Sequence, residues 1–251
     1  VSTTEIDKSL PIDHLVVLAR GLDRAIDDFE QRLGVRATLG GRHEAFGTHN
    51  ALLSLGEDCY LELIAPEPDA DPSQVTRRWP FIPPRPRNWP RLRNWPLNRP
   101  SHGPSHWPDA GNDRETASAE APWRLVNFAI RSRDIARDVQ RARSRGFDPG
   151  EVIAMSRERP DGTRLSWTLA LRDEAACGGL VPFLIDWGNS PHPASSCPRG
   201  CRLIELRGEH PDPDAARRAL AAVDCAMDVT AGPRPALIAL IESPRGRIEL
   251  R

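Results

Sequence analysis

An α+β fold of paired βαβββ modules with a C-terminal βαβββ-like extension is what this sequence predicts, and three observations carry it. The 251 residues suffice for one large domain or two small ones, at about 100–200 residues per domain. An order of one strand, one helix and three strands returns twice after its first appearance. A proline- and tryptophan-rich stretch separates the first copy from the second: thirteen of the 25 prolines and four of the seven tryptophans lie from Pro66 to Pro122. The divisions that follow are a first module at 11–66, a linker at 67–122, a second module at 123–190 and the extension at 200–251.

In the first module the apolar run His14-Leu15-Val16-Val17-Leu18 reads as a strand. A helix follows, with Leu22, Ala25, Ile26, Phe29 and Leu33 at helical spacing, Asp23 as its cap and Gly34 as its stop. Residues 35–38, 51–55 and 59–65 read as strands, the last two joined at Gly56-Glu57-Asp58. The linker cannot hold a regular element for long, because each proline removes a backbone donor and biases its predecessor to extended geometry. Its Trp-Pro steps at Trp79, Trp89, Trp95 and Trp107 suit either a loop draped over the protein by its rings or a lid or partner-binding arm.

The second module repeats the order: a strand at 125–130, a helix with Ile135, Val139 and Ala142 on one face and Gly146 as its stop, and strands at 152–155, 165–171 and 181–187. Pro160-Asp161-Gly162 supplies a turn. The third copy opens with a strand at 203–206, and Asp212-Pro213 then provides a cap and a first-turn proline. Ala216, Leu220 and Val223 mark the helix, and strands read at 227–230, 236–241 and 247–250.

Composition removes several functions. With 34 Lys+Arg against 35 Asp+Glu and a net charge of -1, the near-neutral balance argues against nucleic acid or an acidic membrane as the main partner, since those demand a basic surface. No run approaches the roughly 18 apolar residues of a membrane span, and the first ten residues are polar, so a soluble cytoplasmic protein is expected. Five cysteines are an odd number in a chain too large to need disulfide staples, which fits reduced thiols. Cys197 and Cys201 form a C-x3-C pair without a second pair to match, so plain thiols stand beside a structural zinc as the simpler reading. Gly-rich phosphate loops after a strand, G-x-S-x-G and H-E-x-x-H are all missing from the sequence.

Four segments resemble the vicinal oxygen chelate superfamily in order and spacing, and in particular its glyoxalase-like branch. They are Ile12-Asp13-His14-Leu15-Val16-Val17, Gly40-Gly41-Arg42-His43, Gly47-Thr48-His49-Asn50-Ala51-Leu52-Leu53 and Tyr60-Leu61-Glu62-Leu63-Ile64-Ala65-Pro66. The resemblance is strong over 11–66 and weaker over 123–189. It implies paired modules whose curved sheets enclose a cleft, and a divalent metal held by residues of the first and last strand of each module. Carried over residue by residue, those positions are His14 and Glu62 in the first module, and Asn127 and Asp186 in the second. The metal ligands expected are His14, Glu62 and Asp186, an oxygen-rich set that suits Mn, Fe, Mg or Ca. Asn127 is a weak ligand and is expected to touch substrate instead.

The residues support part of this on their own. Glu62 is a lone carboxylate on a strand whose two faces are both largely apolar, and it needs a partner. Asp186 lies between Ile185 and Trp187, and two carboxylates facing one cleft repel unless a cation or a shared proton intervenes. Asp186 could equally cap the Gly188-Asn189 turn, and His14 could be a core histidine bonded to a backbone carbonyl. Arg42 is a candidate clamp for an anionic group, and His49 a candidate for moving a proton. His43, beside them, is weighed lower. His102, His106, His192 and His210 lie in loops and read as solvated. Glu249 echoes Glu62, but Leu203-Ile204 stand where His14 would be, so the extension is expected to serve packing.

By class, the resemblance implies a metal-assisted isomerase, lyase or dioxygenase acting on a small oxygenated substrate, with Glu62 as base and Arg42, His49 and Asn127 orienting the substrate. A homodimer is compatible with the pattern. The competing class is a non-catalytic small-molecule binder, such as the resistance proteins of this superfamily, which the neutral Asn127 favours. A third is an interaction protein that uses the Trp-Pro linker.

Overall fold

The computed structural model describes residues 11–43, 46–68, 123–159 and 161–251. The first module holds β1 (Ile12–Ala19), α1 (Leu22–Leu33), β2 (Thr38–His43), β3 (Thr48–Ser54) and β4 (Tyr60–Pro66). In the second are β5 (Trp123–Arg131), α2 (Ile135–Ser144), β6 (Glu151–Glu158), β7 (Arg164–Leu171) and β8 (Phe183–Asp186). The extension contributes β9 (Arg202–His210), α3 (Pro213–Ala222), β10 (Asp228–Ala231), β11 (Ala236–Ser243) and β12 (Gly246–Leu250). From Asp69 to Pro122 the Trp-Pro linker lies outside the described residues, with His102 and His106, as does Pro160 of the turn before β7. Among the described residues no helix is long and apolar enough to cross a membrane.

Local rules account for the helices. Leu22, Ala25, Ile26, Phe29 and Leu33 form the buried stripe of α1, and Gly34 ends it in the left-handed region at φ 75°, its N–H bonded to Glu30 O. The N-cap is Gly21 rather than Asp23, and no side chain caps it. Asp23 lies in the first turn, where its charge still favours the helix dipole. Asp134 and Asp212 do cap α2 and α3, accepting from Arg137 N and Ala215 N.

The eight strands of the two modules form one sheet in the order β2-β3-β4-β1-β5-β8-β7-β6. In each module the first strand pairs in parallel with the fourth, and the modules join where β1 runs antiparallel to β5. The sheet curls until its outer strands, β2 and β6, meet. At that seam a Cβ on Gly41 would stand 2.6 Å from the Glu158 carbonyl oxygen, and Gly41 itself adopts φ 142°. Glycine is required there by both space and backbone. This corrects the expected strand at 35–38: β2 starts at Thr38 and runs through Gly40-Gly41, which look like a break in sequence but admit the neighbouring strand.

The extension repeats the element order but not the pairing. Its sheet runs β10-β9-β11-β12, with β9 parallel to β10, so its first strand pairs with its second and not with its fourth. It is a βαβ unit with an added hairpin rather than a third copy of the module. Leu237, Ala239, Ile241 and Leu250 of this sheet share one buried cluster with Leu15, Phe29, Phe128 and Leu184. The extension therefore covers the helix-bearing side of the eight-stranded sheet, and the opposite, concave side is left to form a cleft. Glu249 pairs with Arg207 and Arg251 at the exposed surface, so its echo of Glu62 carries no site.

Candidate functional site

Alternation along the strands determines which side chains enter the cleft. His14 and Val16 of β1, Asn50 of β3, Tyr60 and Glu62 of β4, and Phe183 and Ile185 of β8 line it, with Trp187 just beyond β8. Met155 and Arg157 of β6 and Trp167 of β7 close the far wall, and the space measures about 580 Å³ with its open mouth.

Asp13 and His14 both serve this site because the β1–β5 ladder carries one extra residue between Ile12 and His14. That bulge frees Asp13 from strict alternation. Asp13 is fully buried, and its carboxylate meets His14 Nδ1 at 2.8 Å, Arg131 Nε at 2.7 Å, His192 Nε2 at 3.0 Å and Trp187 Nε1 at 3.1 Å. Burial pushes its pKa up, but the bonds and charges of His14 and His192 prevail and hold it far below the usual carboxylate range. An ionised carboxylate only accepts, so His14 Nδ1 carries the proton and Nε2 faces the cleft. There Nε2 stands 3.6 Å from Glu62 Oε2. Tyr60 stacks on the imidazole at 4.6 Å and fixes its plane.

Asn50 is the hub of the second half. Arg157 Nη1 donates to its Oδ1 at 3.0 Å, which forces its Nδ2 toward Glu62 Oε1, at 2.5 Å, and toward His43 Nε2, at 3.5 Å. His43 Nδ1 lies 3.2 Å from Thr48 Oγ1. Burial pushes the His43 imidazolium down to about 4, with Glu62 opposing and Arg157 and His14 assisting. A neutral ring with a bare Nε2 suits the Asn50 donor. Gly40 completes the arrangement, since a Cβ there would strike both Arg157 Nη1 and Asn50 Oδ1.

Of the expected site residues, the structure brings His14 and Glu62 together and leaves the other four outside the cleft. Asp186 lies on the opposite face from Phe183, Ile185 and Trp187, and its Oδ1 accepts from Gly188 N at 2.8 Å, the turn-capping alternative. Asn127 turns back to accept from its neighbour's amide, Phe128 N, at 2.6 Å, and borders a separate shallow depression. Arg42 is 70% exposed and forms a bidentate pair with Glu67 at 2.7 Å. His49 is adjacent in β3 to the cleft residue Asn50, so alternation turns it to the other face. His192, read as solvated, instead bonds Asp13.

A resident metal does not fit the described residues. His14 Nε2 and Glu62 Oε2 offer two donors, the other Glu62 oxygen is bound by Asn50, and the third expected ligand faces away. Among the described residues no three His, Cys, Asp or Glu side chains converge on a cation. Cys197 and Cys201 are buried and not disulfide-bonded, and among the described residues no group of three or more His, Cys, Asp or Glu side chains includes them.

Solved structures with related folds include a hypothetical protein from Staphylococcus aureus, at 14% identity and a TM-score of 0.58, covering 91% of this chain and 90% of that one. Methylmalonyl-CoA epimerase from Mycobacterium tuberculosis aligns at 16% identity and a TM-score of 0.37, covering 78% of this chain and 97% of that one. No curated protein matches the chain. Residues 12–223 match the family described as the glyoxalase-like domain, a span that takes in both modules and reaches the extension's helix, and the chain belongs to that family within the vicinal oxygen chelate superfamily.

Proposed function

We propose that the protein is an enzyme that moves a proton next to a carbonyl of a small oxygenated substrate, an isomerase or lyase in type, with Glu62 as the base and His14 as its proton-sharing partner. The observation that carries this is the line Asp13–His14–Glu62. Its Nδ1 end is anchored by a buried carboxylate, and its Nε2 end faces a second carboxylate across 3.6 Å. Glu62 is 7% exposed, with Oε1 held by Asn50 and Oε2 turned to the histidine and the cleft. A carboxylate so fixed has one oxygen for the substrate C–H, and the imidazole can take the proton on and return it to another atom. Phe46, Trp167, Phe183 and Trp187 give the cleft an aromatic lining around these groups.

The reading is tested by incubating small carbonyl compounds with the protein in D2O and following deuterium at the carbon beside the carbonyl. Wild type should wash deuterium in, and Glu62→Gln, which keeps shape but removes the base, should do so about 100-fold more slowly or worse. Exchange by the two proteins at equal rates sinks the assignment. Chelator-treated protein is run in parallel: exchange that vanishes and returns only with Mn, Fe, Ni, Zn or Mg would support the metal-assisted variant, for which His14 and Glu62 are the available donors. Binding without exchange in every case would favour the non-catalytic binder.

A further inference from the structure

Arg157 is the charged cleft residue that the proton transfer leaves unused. It is 4% exposed, and among the described residues its guanidinium makes one hydrogen bond, to Asn50 Oδ1. A guanidinium has five N–H donors, no acceptor, and no accessible neutral form. Among the described residues no carboxylate lies within ion-pair reach of it: Glu62 acts on it through charge at longer range, and through hydrogen bonds only by way of Asn50. Its Nη1 is held by Asn50 in the space that Gly40 leaves clear, and Arg157 is one of the residues that line the cleft.

The surroundings narrow what could answer it. Arg157 is the one Arg or Lys among the lining residues, and Phe46, Met155, Trp167, Leu169 and Phe183 supply an apolar wall. A single planar fork matches a single planar anion. A phosphate would bring more negative charge beside Glu62 with no second cation to meet it. We propose that Arg157 is the anion-recognition residue of the cleft, and that the ligand is a small carboxylic acid whose carboxylate sits on Arg157 while an apolar, ring-sized body lies against the aromatic wall. This rests on the cleft being the functional site, as proposed above, but not on Glu62 acting as a base.

The probes are phenylacetate and 4-methylpentanoate with their neutral amides, titrated calorimetrically at pH 7. Wild type should bind at least one acid about tenfold or more tightly than its amide. In Arg157→Met, of similar length and without the charge, that preference should fall to within about twofold, whereas Arg157→Lys should keep part of it. Glu62→Gln should bind the acid as well as wild type or better, because a neighbouring negative charge is removed. Equal affinity of wild type for acid and amide, or binding of neither at millimolar concentration, overturns the proposal and needs no variant. A preference that survives in folded Arg157→Met overturns it too. If acids bind as expected while no deuterium exchange occurs, the proton-transfer reading fails and the anion site stands.

Discussion

His43 shows how a single buried residue links the site to pH. In the unfolded chain it takes a proton near 6.5, and in the fold only at about 4, because burial penalises the imidazolium. Between those values the unfolded state binds more protons, so stability falls as pH drops from 6.5 toward 4 and is untouched by this residue above 6.5. The full window corresponds to about 3 kcal/mol. Asp13 acts in a different window. Its folded pKa is depressed from 3.8, so its contribution is complete above that value and is lost only in stronger acid. Thermal melts of His43→Gln should therefore show a flatter slope between pH 4 and 6.5, with the collapse at lower pH retained. An unchanged slope would mean that His43 is charged in the folded protein. At this scale the sequence exposed what contrast could reveal: Glu62 was legible as a carboxylate in an apolar strand, and His14 through the motif around it. Asp186 was expected to face the cleft and instead lies opposite Phe183 and Ile185 in β8, because a shift of one residue in a strand moves a side chain to the opposite face. Arg157 went unnoticed because it lies just past the strand expected at 152–155, and it meets the closing seam only in three dimensions.

Helices were the most legible elements, since a buried stripe and a terminal glycine are local signals. Phe29 of α1 is fully buried and packs on Trp123 with ring centroids 4.8 Å apart. Phe29→Ala should lower unfolding stability by about 3–5 kcal/mol, the transfer loss plus the cavity. Arg32→Ala, on the solvent side, removes a 2.9 Å pair with Asp28 and the stacking of the guanidinium 5.1 Å from the Trp123 ring. Both contacts are half-exposed, and the loss should stay below about 1 kcal/mol. Denaturant unfolding of the two variants measures this, and equal losses would mean that the helix presents a different face to the core. Strands were less legible where they meet other strands. β2 contains two glycines for the sake of β6, and β6 exposes Val152 and Ile153 while burying Arg157. Neither choice follows from the hydrophobicity of its own segment, because the reason lies across the seam.

At the scale of the whole molecule the duplication was legible as a repeated element order, which correctly paired the two modules. The pairing of the extension was not, because element order alone does not say whether a first strand meets the second or the fourth. Its role as packing was legible in outline, and the shared core gives that role a measurable consequence. Ile241 of β11 is fully buried in the cluster that also holds Leu15, Phe29 and Phe128. Ile241→Ala should cost about 2–5 kcal/mol. Tryptophan fluorescence then reports on coupling, because residues 200–251 contain no tryptophan: Trp123, Trp167 and Trp187 belong to the modules or lie beside the cleft, and the other four are in the linker. If the extension and the modules unfold as one cooperative unit, the fluorescence midpoint should shift by as much as the midpoint from far-ultraviolet circular dichroism. A fluorescence transition that stays put while a separate dichroism transition moves would show that the extension folds independently and that its contact with α1 and β5 contributes little to the stability of the cleft.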